Sequence, residues 1–251
     1  ILRRTPSASE SFVKGQLINN GGNISGNSGK LTLQNNNNLL PTTLNGGTIN
    51  VDGSGIFRWE NVVVFSGTTT GNITGNGLLQ AAGTINVPGS ATFDFGGKGL
   101  YWVIGSIDGG GTLHNTGRIM LTGIDKKHII GDSTLDNTAD VTIADVSNLL
   151  IDNGTVNNQP SGIIDIKGTT GQIYYQGTGF HILNNSGLIK RTVETTDARI
   201  LAELHNTGTI TVNTGSLEIN NDNTTFTGGI YNVDADATLR LLGTITCSGM
   251  L

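Results

Sequence analysis

One short motif recurs along this 251-residue chain and constrains its fold more than any other feature. An apolar residue, any residue and then Asn are followed by two small residues and an apolar stretch, as in LHNTGRI from Leu113, LNNSGLI from Leu183 and LHNTGTI from Leu204. Nine copies can be aligned, and six of the eight steps between them span 21 to 27 residues. A period of this length, built from strands, is typical of the coils of a β-solenoid.

The segments that follow the motif alternate between aliphatic and polar residues, as in Ile119-Met-Leu121 and Ile164-Asp-Ile166. This period of two places the aliphatic side chains on one face of a strand and the polar ones on the other. Gly, Thr and Asn make up roughly 40% of the chain, which disfavours helices and suits tight turns. A hydrophobic content of 35% argues against disorder. The sequence therefore predicts an all-β protein, a right-handed parallel β-helix of about nine coils.

The Asn of the motif indicates a structural role inside the coil. It is kept in eight of the nine copies, and the exception is the small, uncharged Ala81. An inward-turned Asn at a coil corner can bond through its amide to the Asn above and the Asn below, which satisfies buried polar groups. We therefore expect an internal ladder. Its predicted members are Asn20, Asn45, Asn115, Asn137, Asn158, Asn185, Asn206 and Asn232.

The repeats LHNTGRI, LNNSGLI and LHNTGTITV resemble right-handed parallel β-helix regions of bacterial surface proteins, namely autotransporter passengers, filamentous-haemagglutinin-like adhesins and large repetitive surface proteins. The resemblance extends from about Gly15 to Gly249. It implies an extracellular or cell-surface location and a non-catalytic role as a stalk, surface fibre or adhesin. The expected organisation is an N-terminal arm or edge strand over residues 1–10 and one solenoid domain over residues 11–251, as a segment of a larger protein.

Similar β-helices also carry polysaccharide lyases, hydrolases and tailspike glycosidases, so a carbohydrate-active or glycan-binding protein is the alternative. Two aromatic clusters, FRW from Phe57 and LYW from Leu100, hold rings that could stack on sugars if they are exposed. The competing interpretation is that these rings fill a wider coil. The candidates for glycan stacking are Trp59, Trp102 and Tyr101. The adjacent Tyr174 and Tyr175 are weaker, because alternation turns one ring inward and the other outward.

Catalysis on a glycoside needs two carboxylates at a defined separation. The acidic residues of this chain scatter over different corners of the predicted coil, and Asp94 and Asp108 lie near Trp102 in the sequence. These two are the carboxylate candidates for the alternative. Because no paired carboxylates lie beside an Arg or Lys, we favour the interpretation that the acidic residues are solvated turn residues.

The remaining features exclude several functions. Only 14 residues are Lys or Arg, and the cluster Lys126-Lys127-His128 is too small to bind nucleic acid. A single cysteine, Cys247, excludes an internal disulfide framework, and the histidines have no ligand-spaced partners, so we expect no metal or cofactor. No apolar run approaches the ~20 residues that span a bilayer, which predicts no membrane insertion. The expected partners are a host or environmental glycan or surface, or neighbouring copies or segments of the same protein.

Overall fold

The chain forms a parallel β-solenoid. A computed structural model describes residues 2–4, 9–34, 41–193 and 196–249. These residues contain 29 β-strands and no helix, and the strands stack in parallel over about ten turns. The prediction of an all-β solenoid is therefore confirmed, with a turn count close to the nine coils expected.

The five strands between residues 42 and 108 have 8 to 18 residues, and the other strands have three to five. The first ten are β1 (Leu2–Arg4), β2 (Glu10–Val13), β3 (Ile18–Asn20), β4 (Asn23–Gly26), β5 (Lys30–Gln34), β6 (Thr42–Val51), β7 (Ile56–Ile73), β8 (Leu78–Asn86), β9 (Ser90–Gly97) and β10 (Leu100–Asp108). The next ten are β11 (Thr112–Asn115), β12 (Arg118–Leu121), β13 (Lys126–Ile129), β14 (Ser133–Asn137), β15 (Asp140–Ile143), β16 (Asn148–Ile151), β17 (Gly154–Asn158), β18 (Ile163–Ile166), β19 (Gln172–Tyr174) and β20 (His181–Asn185). The last nine are β21 (Leu188–Arg191), β22 (Asp197–Ile200), β23 (Glu203–Asn206), β24 (Thr209–Val212), β25 (Ser216–Asn220), β26 (Thr224–Thr227), β27 (Ile230–Val233), β28 (Thr238–Leu242) and β29 (Ile245–Ser248).

Three faces, which we call A, B and C, make up each turn. From β11 onwards each turn has one strand per face, so that every strand pairs with the third strand after it: β11 with β14 on face A, β12 with β15 on face B, and β13 with β16 on face C. Upstream, the long strands bend at corners and continue from one face to the next. β7, for example, pairs with β8 through Ile56–Val64 and with β9 through Gly67–Ile73.

The stack includes part of the segment predicted as an arm or edge strand. β1 pairs with β4, and β2 pairs with β5, both in parallel. Residues 1 and 5–8 of that segment, like residues 250 and 251 at the other terminus, lie outside the described residues.

Columns of aliphatic side chains fill the interior because the pairing is in register. On face A, one column is fully buried. It consists of Leu113, Leu135, Val156, Leu183 and Leu204. Matching columns of Ile, Leu and Val run behind faces B and C. Burial of each such side chain contributes roughly 1.5–3 kcal/mol, so the stacked columns are the main source of stability.

Five asparagines form the predicted ladder at the corner between faces A and B. Each is at most 1% exposed, and each of the first four donates from Nδ2 to Oδ1 of the next Asn towards the C-terminus. The successive distances are 2.7, 2.8, 2.7 and 2.6 Å along Asn115, Asn137, Asn158, Asn185 and Asn206. Nδ2 also donates to backbone carbonyls at the start of face B strands, such as that of Leu188 for Asn158, at 3.2 Å. The ladder thus supplies hydrogen-bond partners both to its own side-chain amides and to backbone carbonyls at this corner.

Aromatic residues bound the ladder at both ends. Asn115 pairs in register with Phe93, and its Oδ1 is a buried acceptor without a partner among the described residues. At the other end Asn206 pairs with Phe226, and its Nδ2 donates to the phenol oxygen of Tyr231 at 2.8 Å. All five side-chain amides therefore have the same orientation. The ladder begins at Oδ1 of Asn115, which is unpaired among the described residues, and ends at Tyr231, whose phenol oxygen accepts the hydrogen bond from Asn206.

Three of the predicted ladder members lie elsewhere. Asn20 and Asn45 form an exposed pair at the end of face C, with Nδ2 of Asn45 donating to Oδ1 of Asn20 at 2.7 Å. Asn232 is exposed on face B and pairs in register with Thr211. The prediction was wrong for these residues because the same letter pattern fits any corner of the coil. The exception, Ala81, lies on face B rather than in the Asn column.

Replacing one ladder asparagine should destabilise the protein strongly. In Asn137→Leu, the amides and carbonyls that contact Asn137 lose their partners, which costs about 1–3 kcal/mol for each buried group left unpaired. We expect a clearly lower melting temperature in thermal unfolding followed by circular dichroism. Asn232→Leu, at an exposed position, is the matched control and should unfold close to the wild type. Equal melting curves for wild type and Asn137→Leu would contradict the ladder.

Candidate functional site

The tryptophans predicted to stack on sugars are buried. Trp59 and Trp102 are both 0% exposed, and Ala81 lies between them in register on face B. Trp59 contacts Phe65 at 5.5 Å between ring centroids, within an aromatic chain that continues to Phe93. The glycan-stacking prediction is therefore wrong for both tryptophans, and the competing interpretation is correct: the rings fill the wider N-terminal coils. The small Ala81 leaves room for an indole on each side.

The other sequence candidates are on the surface but apart from one another. Tyr101 is half-buried on face B, where it pairs with Gln80 and Met120. Asp94 is exposed on face A, in β9. Asp108 ends β10 on face C, where its Oδ1 accepts a hydrogen bond from the backbone N–H of Gly109 at 2.7 Å. The structure therefore does not bring the two carboxylates together.

The histidine column on face A forms polar pairs along the surface. His114 Nδ1 lies 2.9 Å from Asp136 Oδ2, one turn below, and His205 Nε2 lies 2.8 Å from Glu203 Oε1. In the part of the chain that the structure describes, no group of three or more His, Cys, Asp or Glu residues is placed to hold a metal ion.

Two cations are buried at the corner between faces B and C. Lys127, from the cluster considered for nucleic acid, is 0% exposed and donates to the carbonyls of Thr122 and Asp125 and to Ser147 Oγ. Burial lowers the pKa of Lys127 to about 8, against the opposing effect of the Asp125 and Asp145 carboxylates. Lys127 therefore occupies a core position, from which its ammonium group donates hydrogen bonds to the carbonyls of the turn at this corner.

Arg191 has the equivalent role three turns later, at the end of face B. It is also 0% exposed, and its guanidinium donates to the carbonyls of Ile166 at 2.9 Å, Gly168 at 2.6 Å and Thr196 at 3.1 Å. Carbonyls of two successive turns are thus satisfied by one planar donor group. Both cations have a structural role that alternation in the sequence does not reveal.

A polar recess lies at the corner between faces C and A. It arises from unequal turns: six residues, 175–180, link β19 to β20, two residues link β22 to β23, and three residues, 221–223, link β25 to β26. Because the two-residue turn follows the shortest path, it leaves a gap between the turns above and below. The gap has a volume of about 350 Å³. Its lining residues, which define what we call the corner recess, are Tyr175, His181, Asn220, Asn221, Asp222 and Asn223.

The upper wall of the corner recess is a pair of stacked rings. The rings of Tyr175 and His181 are parallel within 8° and their centroids are 3.8 Å apart. Nδ1 of His181 lies 2.8 Å from the carbonyl oxygen of Gly179, so this nitrogen carries the proton and Nε2 is the acceptor in the neutral ring. Tyr175 is 41% exposed although His181 covers one side of its ring. The wall therefore presents an open aromatic surface in a fixed orientation.

Glycines hold this wall against the turn above it. A Cβ on Gly179 would lie 2.0 Å from Asn153 Oδ1, and a Cβ on Gly177, where φ is +103°, would lie 2.9 Å from Asp152 Oδ1. The N–H of Gly154 also donates to the carbonyl of Phe180 at 3.2 Å. The six-residue turn is thus packed closely onto its neighbour.

The lower wall consists of amides and one carboxylate. Asn221 is nearly buried and donates from Nδ2 to the carbonyl of Leu201 at 2.9 Å, while its Oδ1 accepts from the N–H of Asn223 at 2.8 Å. Oδ1 of Asp222 accepts from the N–H of Thr244 at 2.9 Å, one turn below. Asn220, Asp222 and Asn223 are exposed. One buried amide therefore fixes a turn that carries three solvent-facing polar side chains.

The sequence pointed at this site only weakly. Tyr174 and Tyr175 were expected to have one ring inside and one outside, but neither is buried. β19 ends at Tyr174, whose ring lies 5.5 Å from Nζ of Lys126, and Tyr175 already belongs to the turn. The signal that could have located the recess is the change in the spacing of strands, from a long turn to a two-residue turn and back.

A second groove lies on the outside of the corner between faces B and C. Its volume is about 430 Å³, and Ile104, Ile124, Lys126 and His128 contribute to its lining. Ile124 is 79% exposed. Burial, followed by the charge of Lys126, lowers the pKa of His128. In contrast to the corner recess, this groove has two isoleucines in its lining.

Comparisons with protein-family models, with curated proteins and with solved structures found no match for this chain. None of the described segments forms a helix long and apolar enough to cross a membrane.

The buried Lys127 should give a recognisable pH dependence of stability. Its pKa in the folded protein is about 8, against 10.5 for an ordinary lysine, so between these values the unfolded chain binds a proton that the folded chain has released. Stability must therefore rise with pH across this window. Relative to Lys127→Met, the free energy of unfolding of the wild type should increase by up to about 3 kcal/mol between pH 8 and 10.5.

Urea titrations of both proteins at several pH values measure this difference. The other titrating groups are common to both proteins, so the difference isolates Lys127. If the free energies of unfolding of the two proteins change in parallel with pH, the pKa of Lys127 is not lowered in the folded protein and the prediction is wrong.

Proposed function

We propose that this chain is a non-catalytic structural or adhesive segment of an extracellular or cell-surface protein, that is, part of a stalk, a surface fibre or an adhesin. The extracellular location rests on the resemblance of the repeats to bacterial surface β-helices. The proposed partners are a glycan or another surface, or neighbouring copies or segments of the same protein.

The observation that carries this proposal is the continuity of the stack. Strands pair in register on three faces over about ten turns, which at about 4.8 Å per turn gives a rod roughly 48 Å long. The five-membered Asn ladder ties the successive turns from Asn115 to Asn206. Such an element holds two ends at a fixed distance and displays whatever its turns carry, which is what a stalk or fibre requires.

The catalytic alternative depends on Asp94 and Asp108. These two lie on different faces, and Asp108 is engaged at a turn by the N–H of Gly109. Hydrolysis of a glycoside requires two carboxylates across one bond. The geometry therefore favours display or binding over bond cleavage, and the glycan-binding part of the alternative is supported by the corner recess instead.

The purified chain should leave polysaccharides intact. We expect no release of reducing ends or unsaturated products when it is incubated with neutral and acidic polysaccharides, since the candidate carboxylates are not paired. The decisive control compares any activity with that of Asp94→Ala and Asp108→Ala. Product formation by the wild type that disappears in either variant would contradict the non-catalytic role.

The segment should be accessible from outside the cell. Antibodies raised against the folded chain should label intact cells that produce the protein, or the material that these cells release, without permeabilisation. A cytoplasmic protein of the same cells is the control for leakage. Labelling that requires permeabilisation would contradict the extracellular location.

A further inference from the structure

We propose that the corner recess binds an uncharged sugar residue in its pyranose form. The inference rests on the adhesive part of the proposed function and gives it a site and a ligand class. The recess combines an open aromatic surface on one wall with amides and a carboxylate on the other, and a pyranose needs this combination because its C–H face is apolar while its hydroxyl groups both donate and accept hydrogen bonds.

The dimensions suit one sugar ring. His181 and Asp222 belong to turns that are two inter-strand steps apart, since β20 pairs with β23 and β23 with β26. Two steps separate the walls by about 10 Å from centre to centre. The volume of about 350 Å³ lies at the small end of ligand pockets, which fits one ring with part of a neighbour rather than a long chain segment.

The walls are fixed before any ligand arrives. The upper wall is held by the stack of Tyr175 on His181 and by the hydrogen bond from His181 to Gly179. The lower wall is held by Asn221, which bonds to Leu201 at the level between the two walls. Binding therefore needs little ordering of the protein, which reduces its entropic cost.

The free hydrogen-bonding groups match hydroxyls. Nε2 of His181 has no contact with the Gly179 carbonyl that engages Nδ1 and is an acceptor whenever the ring carries one proton, and the exposed Asn220 and Asn223 amides can donate or accept. Asp222 uses Oδ1 for Thr244, and its carboxylate has further acceptor capacity.

Charge selects among sugars. The six lining residues include the Asp222 carboxylate and neither Lys nor Arg. A uronic acid or another anionic sugar would be repelled by this carboxylate without a compensating cation. The recess should therefore prefer neutral hexoses over acidic ones.

The test is binding of the whole chain to immobilised neutral oligosaccharides of glucose, galactose and mannose and to acidic oligosaccharides of galacturonic and glucuronic acid. We expect binding to at least one neutral oligosaccharide and weaker binding to the acidic ones. Tyr175→Ala should reduce the affinity at least about tenfold, because it removes the aromatic surface. Asp222→Asn keeps an oxygen that can accept from the N–H of Thr244 but removes the charge. It should therefore reduce the difference in affinity between neutral and acidic oligosaccharides.

Tyr101→Ala is the matched control, because it removes a half-buried tyrosine from face B, away from the recess, and should bind like the wild type. A thermal unfolding curve is recorded for every variant to establish that the variant is folded. The proposal is overturned if the folded wild type binds none of the neutral oligosaccharides, if acidic ones bind more tightly, or if Tyr175→Ala binds as well as the wild type.

The proposed extracellular role and the proposed sugar site can be disproved separately. Loss of sugar binding with surface labelling intact would remove the recess as a site and leave the structural role in place. A chain that binds sugar but is not found outside the cell would remove the proposed location and leave the recess as a sugar site.

Discussion

In-register parallel pairing between successive turns is the constraint on which the rest of the structure depends. Because each residue lies above its counterpart in the next turn, a single inward Leu becomes a column and a single inward Asn becomes a ladder. The ladder is directional, with every amide donating towards the C-terminus. Hydrogen bonds in such chains polarise one another, so the ladder is expected to stabilise the corner more than five separate bonds would.

The same pairing explains where unusual side chains are tolerated. A turn whose carbonyls face the interior can be satisfied by a cation that occupies a core position, and Lys127 and Arg191 do this at the corner between faces B and C. Where a turn is shortened, its neighbours project and form a concave surface, as at the corner recess. The core is thus set by the register, and the surface features are set by the lengths of the turns.

The sequence was sufficient for the fold and for the five asparagines of the ladder. From Asn115 to Asn206 the motif recurs at steps of 22, 21, 27 and 21 residues, so its position on the coil can be inferred. Upstream, strands such as β7 run through two corners, and the motif no longer shows which corner it occupies; Asn20 and Asn45 were misplaced for this reason. The inward direction of Trp102 was open because the adjacent Tyr101 and Trp102 fit either parity of a strand. Phe57 and Trp59 share one parity, and the sequence alone left open whether that side of the strand faces the core. The corner recess depends on the difference between three turns that are far apart in sequence, which no local pattern records.

Hydrogen exchange of the asparagine side-chain amides, followed by nuclear magnetic resonance, measures directly how well the ladder is protected. We expect slow exchange for the Nδ2 protons of Asn137, Asn158 and Asn185, which are buried and hydrogen-bonded inside the ladder, and fast exchange for Asn232, which is exposed on face B. Fast exchange of the ladder amides in the folded protein, at the rate of Asn232, would show that in-register pairing does not hold them in a buried ladder.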